Sequence, residues 1–191
     1  MPQFDSSIAP VRQRYDALTL FFHWVTAAAV IFMFASAHIW AWLERGTPLR
    51  KELQSLHISC GILLAAVIIL RLLWRIGSQW NARYKMPKAE TSPAMRIIAH
   101  ATHGLLYLLL VTQVVLGFLF RWAQEEPFRF FGLFDIPTLA PVDITMRHTF
   151  ATLHNGVAWA LIGLASAHAL AALFHHYVLR DNVLRRMLPR S

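Results

Sequence analysis

The sequence predicts an all-α integral membrane protein, a four-helix bundle with both termini in the cytoplasm. Three observations carry this. Hydrophobic residues make up 57% of the 191-residue chain and charged residues only 15%, with a mean hydropathy of +0.45, far more apolar than a soluble domain of this length. Four apolar runs reach the ~20 residues that a helix needs to cross a bilayer. The alternation expected of barrel strands is absent from them. The length fits one transmembrane domain, residues 1–191. The one cysteine, Cys60, excludes an internal disulfide and any thiolate-built metal or iron–sulfur centre. The net charge of +8 would suit nucleic acid in a polar chain. Here it is read by where it falls relative to the apolar runs, and no nucleic-acid partner is expected.

The first run, about 18–43, contains no Lys, Arg, Asp or Glu. The second, about 53–74, carries Arg71 near its end. The third and fourth cover about 95–120 and 150–178. Trp40, Trp42, Trp74, Trp80 and Trp122 fall at or near run ends, where amphipathic rings favour the membrane interface. The N-terminus shows no cleavage-type sequence, so no signal peptide is expected to be removed. The link from Trp122 to Arg147 is long for a bundle. Its Phe128, Phe130, Phe131, Leu133 and Phe134 predict a stretch lying in the interface, and Pro137 and Pro141 exclude one long helix there. It either caps the bundle or shapes an entrance for a substrate.

Charge sets the expected orientation. The N-terminal stretch carries Arg12 and Arg14. The link between runs two and three carries Arg75, Arg83, Lys85, Lys88 and Arg96 against Glu90 alone. The tail carries Arg180, Arg185, Arg186 and Arg190 against Asp181. The other two links are mixed in sign. The positive-inside rule therefore puts both termini and the middle link in the cytoplasm, a parity that four spans satisfy and three or five do not.

Ten histidines occur, most within or at the ends of apolar runs. Ionisable groups inside a membrane are costly and usually functional, although any single one can be a packed core residue. Depth sorts them. His23 lies near the cytoplasmic side of helix one, and His57 near the outer side of helix two. In helix four His154 lies near the outer side and His168 deeper. The last two are fourteen residues apart, ~21 Å along the axis and nearly four turns, hence roughly on one face. Two pairs at matching depth follow, His23 with His168 and His57 with His154. Neutral imidazoles from two helices suit the opposite axial positions of a haem iron, and two such haems would form an electron wire across the membrane. Ser59, Gly61, Gly156 and Gly163 leave room for a ring or for plain helix packing. On depth alone, His100 or His103 of helix three is eligible in place of His23 or His168. His38 and His148 sit near helix ends at the outer side, and His38 is read as an interface residue. His175 and His176 are either solvated at the interface or one touches a quinone headgroup.

Several motifs resemble the bacterial cytochrome b561 family. They are Phe22-His23-Trp24, the Leu56-to-Gly61 stretch around His57, Arg71-Leu72-Leu73-Trp74-Arg75, His154 through His168 to His175-His176-Tyr177, and the tail from Leu179 to Arg190. The resemblance covers roughly residues 14–190. It implies two haem b groups in the bacterial inner membrane, with His23, His57, His154 and His168 as axial ligands. It further implies a superoxide oxidase, an enzyme taking electrons from superoxide at the periplasmic side and passing them to ubiquinone. Arg71 and His175 then lie where a cytoplasmic-side quinone would bind; Arg71 alternatively pairs with a haem propionate or a lipid phosphate.

An anion such as superoxide would be steered by outward-facing positive charge, for which Arg45, Arg50, Lys51, Arg121, Arg129 and Arg147 are candidates. Glu44, Glu52, Glu125, Glu126, Asp135 and Asp143 nearly balance them, so steering requires the fold to separate the signs. Two other readings stand beside the oxidase. One is a haem b anchor relaying electrons between quinone and a partner dehydrogenase or periplasmic protein. The other is a histidine-lined metal-ion transporter, disfavoured because the spans lack the carboxylates that divalent cations recruit.

Overall fold

The computed structural model describes residues 14–80, 92–126, 128–139 and 141–188. Arg12, Arg83, Lys85, Lys88, Glu90 and Arg190, used above for orientation, lie outside them, as does the end of the tail motif. Four long helices form the molecule: α1 (Ala17–Trp42), α2 (Pro48–Gln79), α3 (Pro93–Trp122) and α4 (Arg147–Tyr177). All four are long and apolar enough to cross a membrane. Even the shortest, 26 residues, spans ~39 Å at 1.5 Å per residue, more than the ~30 Å hydrocarbon core.

The helices outrun the apolar runs, because a run marks the membrane-embedded part and backbone hydrogen bonding continues past it. α2 begins at Pro48, five residues before the run, and takes in Arg50, Lys51 and Glu52. Proline at the first helical position loses no hydrogen bond there and has its φ preset for the helix. Pro93 opens α3 in the same way, behind a Ser92 side chain that accepts from the Met95 N–H. Asp16 caps α1, accepting from the Thr19 N–H at 2.9 Å and from its hydroxyl at 2.6 Å. Arg50 closes the other end of α1, donating to the carbonyls of Trp40 and Leu43 at 2.8 and 2.7 Å.

Packing is heaviest between α1 and α2 and between α3 and α4, lighter between α2 and α3, and lighter again between α1 and α4. The core is one cluster of Val30, Leu64, Ile68, Leu110 and Leu161. Many large apolar side chains point outward instead, among them Ile31, Leu108 and Leu170, each more than 60% exposed. That much exposed apolar surface would drive association in water, whereas lipid accepts it.

The long link folds as a two-stranded antiparallel hairpin, β1 (Phe128–Phe130) with β2 (Phe134–Ile136), followed by a 3-10 turn over Ile144–Met146. Phe131 and Gly132 both take positive φ, 49° and 74°. Glycine does so without strain, a phenylalanine does not. Ser59 of α2, fully buried, holds the turn in place. Its hydroxyl accepts from the Phe131 N–H at 2.9 Å and donates to the Arg129 carbonyl at 3.3 Å. Ser59 lies eleven residues into α2, ~16 Å along its axis, so the hairpin tip reaches down to the level of His57. Non-helical backbone at such depth must find its partners on protein, and this hydroxyl supplies two. No helix covers Pro137 or Pro141, as expected, and the exposed Phe131, Leu133 and Phe134 suit an interface.

The two ends of the bundle are distinct. At the hairpin end lie the α1–α2 loop and the hairpin. At the terminal end the N- and C-terminal segments meet, with the Tyr15 N–H donating to the Arg186 carbonyl at 3.2 Å and the Trp24 indole to the Met187 carbonyl at 2.8 Å.

Candidate functional site: two histidine pairs in the bundle

The fold brings together both histidine pairs drawn from depth. His57 of α2 and His154 of α4 face each other with ring centroids 6.5 Å apart and planes at 71°. His23 of α1 and His168 of α4 repeat this at 6.5 Å and 67°. A metal held ~2 Å from one nitrogen of each of two imidazoles places the ring centroids roughly 6 Å apart. Both pairs therefore have the separation that an intervening iron needs.

The pair at the hairpin end borders a cavity of about 910 Å³, within the size range of cofactor sites. Its polar surroundings are specific. The Ser36 hydroxyl lies 3.2 Å from His57 Nδ1, and the Trp40 ring stands edge-on to the His57 ring at 4.8 Å. Gln113 Nε2 lies 3.1 Å from His154 Nε2, while His154 Nδ1 and Gln113 Oε1 are buried without a hydrogen-bond partner among the described residues. An orphaned ring nitrogen beside a cavity is a position that a metal or cofactor can satisfy. Gly117 sits against His154, where a Cβ would come within 3.3 Å of the ring; any side chain there would push the imidazole. Gly61 meets Met33 of α1 in the same way at 3.3 Å, so its smallness serves the α1–α2 contact. Gly156 and Gly163 face open space.

The fold also sorts the charges of the loops. Lys51, Arg121, Arg129 and Arg147 line the cavity, and Glu126 is the one acid among its lining residues. Glu44, Glu52, Glu125 and Asp143 are not among the lining residues, nor is Asp135, although it pairs with the lining Arg129. Arg45 and Arg50 are not part of the lining, Arg50 being committed to the end of α1. Arg121 pairs with Glu126 at 3.4 Å and Arg129 with Asp135 at 2.9 Å. His38 turns inward rather than lying at the interface. It lines the same cavity, donates from Nδ1 to the Phe34 carbonyl at 2.8 Å, and packs on Trp159 of α4 at 5.1 Å. His148 is exposed.

At the terminal end His103 comes within 5.1 Å of His168, centroid to centroid, so α3 contributes a third imidazole beside that pair. His100 is exposed and bonds back to the Arg96 carbonyl of its own helix at 2.7 Å. The Arg71 guanidinium lies over the Tyr107 ring at 5.0 Å; Arg75 lies over the same ring at 5.7 Å. His175 Nδ1 is engaged by the Asp181 carboxylate. Burial of Asp181 opposes its ionisation, but hydrogen bonds from His175 and the Val183 N–H outweigh this and hold its pKa below the usual carboxylate range. His176 meets the Tyr177 ring edge-on at 4.8 Å. Among the described residues, no three of His, Cys, Asp and Glu gather as a metal site; the histidines meet as facing pairs, which suits axial ligation of haem.

Ser36, Gln113, Gly117 and the hairpin-anchoring Ser59 contact were not legible as site features in the sequence. Gln113 and Gly117 are four apart on one face of α3, the only local hint. Ser36 is joined to His57 solely by the packing of α1 on α2.

A bundle of four apolar spans with facing histidines defines a membrane cytochrome of the b type. The chain belongs to the prokaryotic cytochrome b561 family, whose profile matches residues 14–190. It is 36% identical over 181 residues to the cytochrome b561 homolog 2 of Escherichia coli, covering 94% of this chain and 93% of that one. It is 29% identical over 186 residues to the probable superoxide oxidase CybB of Yersinia pestis, covering 95% and 99%. It is 29% identical over 184 residues to a cytochrome b562 of Cereibacter sphaeroides, covering 92% and 96%. The protein is thus a bacterial multi-pass membrane haem protein of electron transfer.

Proposed function

We propose that the protein is a superoxide:ubiquinone oxidoreductase of the bacterial inner membrane, the whole chain acting as one transmembrane domain. Both termini face the cytoplasm and the hairpin end faces the periplasm. Two superoxide anions give up one electron each and become dioxygen; one ubiquinone takes both electrons and two protons and becomes quinol. His57 and His154 are the axial ligands of a haem b at the periplasmic side, and His23 and His168 of a second at the cytoplasmic side. When bound, these groups supply one-electron carriers between the two faces.

The rest falls to the chain's own residues. The observation that carries the reading is the cavity beside His57 and His154, with four cations and one carboxylate in its wall. Low-dielectric walls lined by one sign of charge concentrate a small anion and raise its encounter rate. At the other end, Arg71 and His175 are the groups for a quinone carbonyl or a propionate, Arg71 as a fixed cation and His175 as a ring oriented by Asp181. The name of the Yersinia pestis relative, a probable superoxide oxidase, supports the same choice of donor. The runner-up, a relay serving a partner protein, shares the ligands and differs in needing the partner.

The test is the visible spectrum of the detergent-purified protein, oxidised and then mixed with a superoxide generator, with and without ubiquinone. Rapid reduction that discharges into ubiquinone is expected. Low-spin haem left oxidised by superoxide would shift the reading to the partner-dependent relay. Protein that binds no haem would overturn the ligand assignment.

A further inference from the structure

We propose that Ser36 of α1 is a positioning residue for the periplasmic-side haem, locking the tautomer and orientation of His57 and thereby lowering the haem's reduction potential. The inference rests on the reading above that His57 is an axial ligand. Ser36 is 2% exposed, in mid-helix, where a serine is only a middling helix former. Its hydroxyl makes two contacts: it donates to the Met33 carbonyl at 3.1 Å and lies 3.2 Å from His57 Nδ1. A serine hydroxyl has one proton. With that proton given to Met33, the oxygen can only accept from His57, so Nδ1 carries the hydrogen. Nε2 is left with a free lone pair, and the ring is held from α1 while Trp40 bounds it edge-on.

A ligating histidine whose other N–H is given to an acceptor is a more basic ligand, fixed in direction. Greater basicity favours the ferric over the ferrous ion. His154 has no such arrangement: one ring nitrogen meets the amide of Gln113 and the other has no partner among the described residues. The two ligands of one iron are therefore supported unequally, and the support comes from a residue twenty-one positions before His57 on another helix.

The test is redox titration of the purified holoprotein, with haem content per chain measured alongside. His57→Ala identifies the affected component, since it should lose one of the two haems. In Ser36→Ala that component should persist and its reduction equilibrium should move up to about tenfold toward ferrous, an upward shift of ~59 mV at most for one electron, while the other component stays put. Ser36→Cys, of similar volume but a weak acceptor, should move the same way, and it is read in place of the alanine variant if that one fails to load. Ser36→Thr keeps the hydroxyl and should keep the native potential. Unchanged potentials in Ala and Cys, or a threonine variant shifted like alanine, would overturn the role of the hydrogen bond. Two haems retained in His57→Ala would overturn the ligand reading itself, and this inference with it.

Discussion

Gly117 touches the candidate site by having no side chain. A Cβ at this position meets His154 Cε1 at 3.3 Å, so Gly117→Ala requires the imidazole to give way by a few tenths of an ångström. Alanine is also a better helix former by ~1 kcal/mol, so the fold itself should not suffer. Gly117→Ala should therefore lower haem occupancy at the hairpin end by roughly tenfold in affinity, in the range for residues that orient a ligand, with melting temperature unchanged or raised. Haem per chain by pyridine haemochrome, compared with thermal unfolding, separates the two effects. At this scale the sequence exposed the four paired histidines, because polar residues stand out within apolar runs. It hid Ser36, Gln113 and Gly117, because Ser, Gln and Gly are unremarkable in a transmembrane helix until the partner helix is in place. His38 was misplaced for the same reason: position near a helix end suggests the interface, and only contact with Trp159 shows that it turns inward.

The hairpin is the element that the sequence reported least well. Its aromatic composition and prolines excluded a long helix, yet three-residue strands carry almost no periodic signal. Its depth depends on one side chain of another element, since Ser59 satisfies both the Phe131 N–H and the Arg129 carbonyl. Ser59→Ala leaves both without their partner and should cost the hairpin about 1–3 kcal/mol. Hydrogen exchange of the 128–136 amides should rise while α1–α4 remain protected. Equal protection in wild type and variant would show that the strand pairing alone holds the hairpin. The helix ends tell a related lesson. Apolar runs report the membrane-embedded length, whereas Thr47-Pro48 and Ser92-Pro93 report where α2 and α3 start.

Across the whole molecule, the decisive property is the separation of charge around the cavity. Along the chain the outward-loop cations and carboxylates nearly cancel, and in the fold Lys51, Arg121, Arg129 and Arg147 share the cavity with Glu126 alone. Reversing Lys51 and Arg147 to Glu together should slow superoxide-driven haem reduction by roughly tenfold or more at low ionic strength, with the gap narrowing as salt screens the field. Stopped-flow reduction at two salt concentrations checks this; a rate insensitive to both charge and salt would remove steering from the account. Arg71 and the His175–Asp181 pair occupy the other end, so the groups proposed for the anion and those proposed for the quinone are divided between the two ends.

The sequence by itself determined the number of spans, the helical class, the family and the histidines that stand at matching depth. The number of spans, the helical class and the matching depths depend on composition and on a rise of 1.5 Å per residue, and the family on short motifs in order; all are local properties. Only the tertiary structure decided which groups surround each imidazole, how deep the hairpin reaches and which charges share a cavity. Those are contacts between helices, and the helix surfaces that make them differ from lipid-facing surfaces by single small or polar residues, too slight a signal to read from one chain.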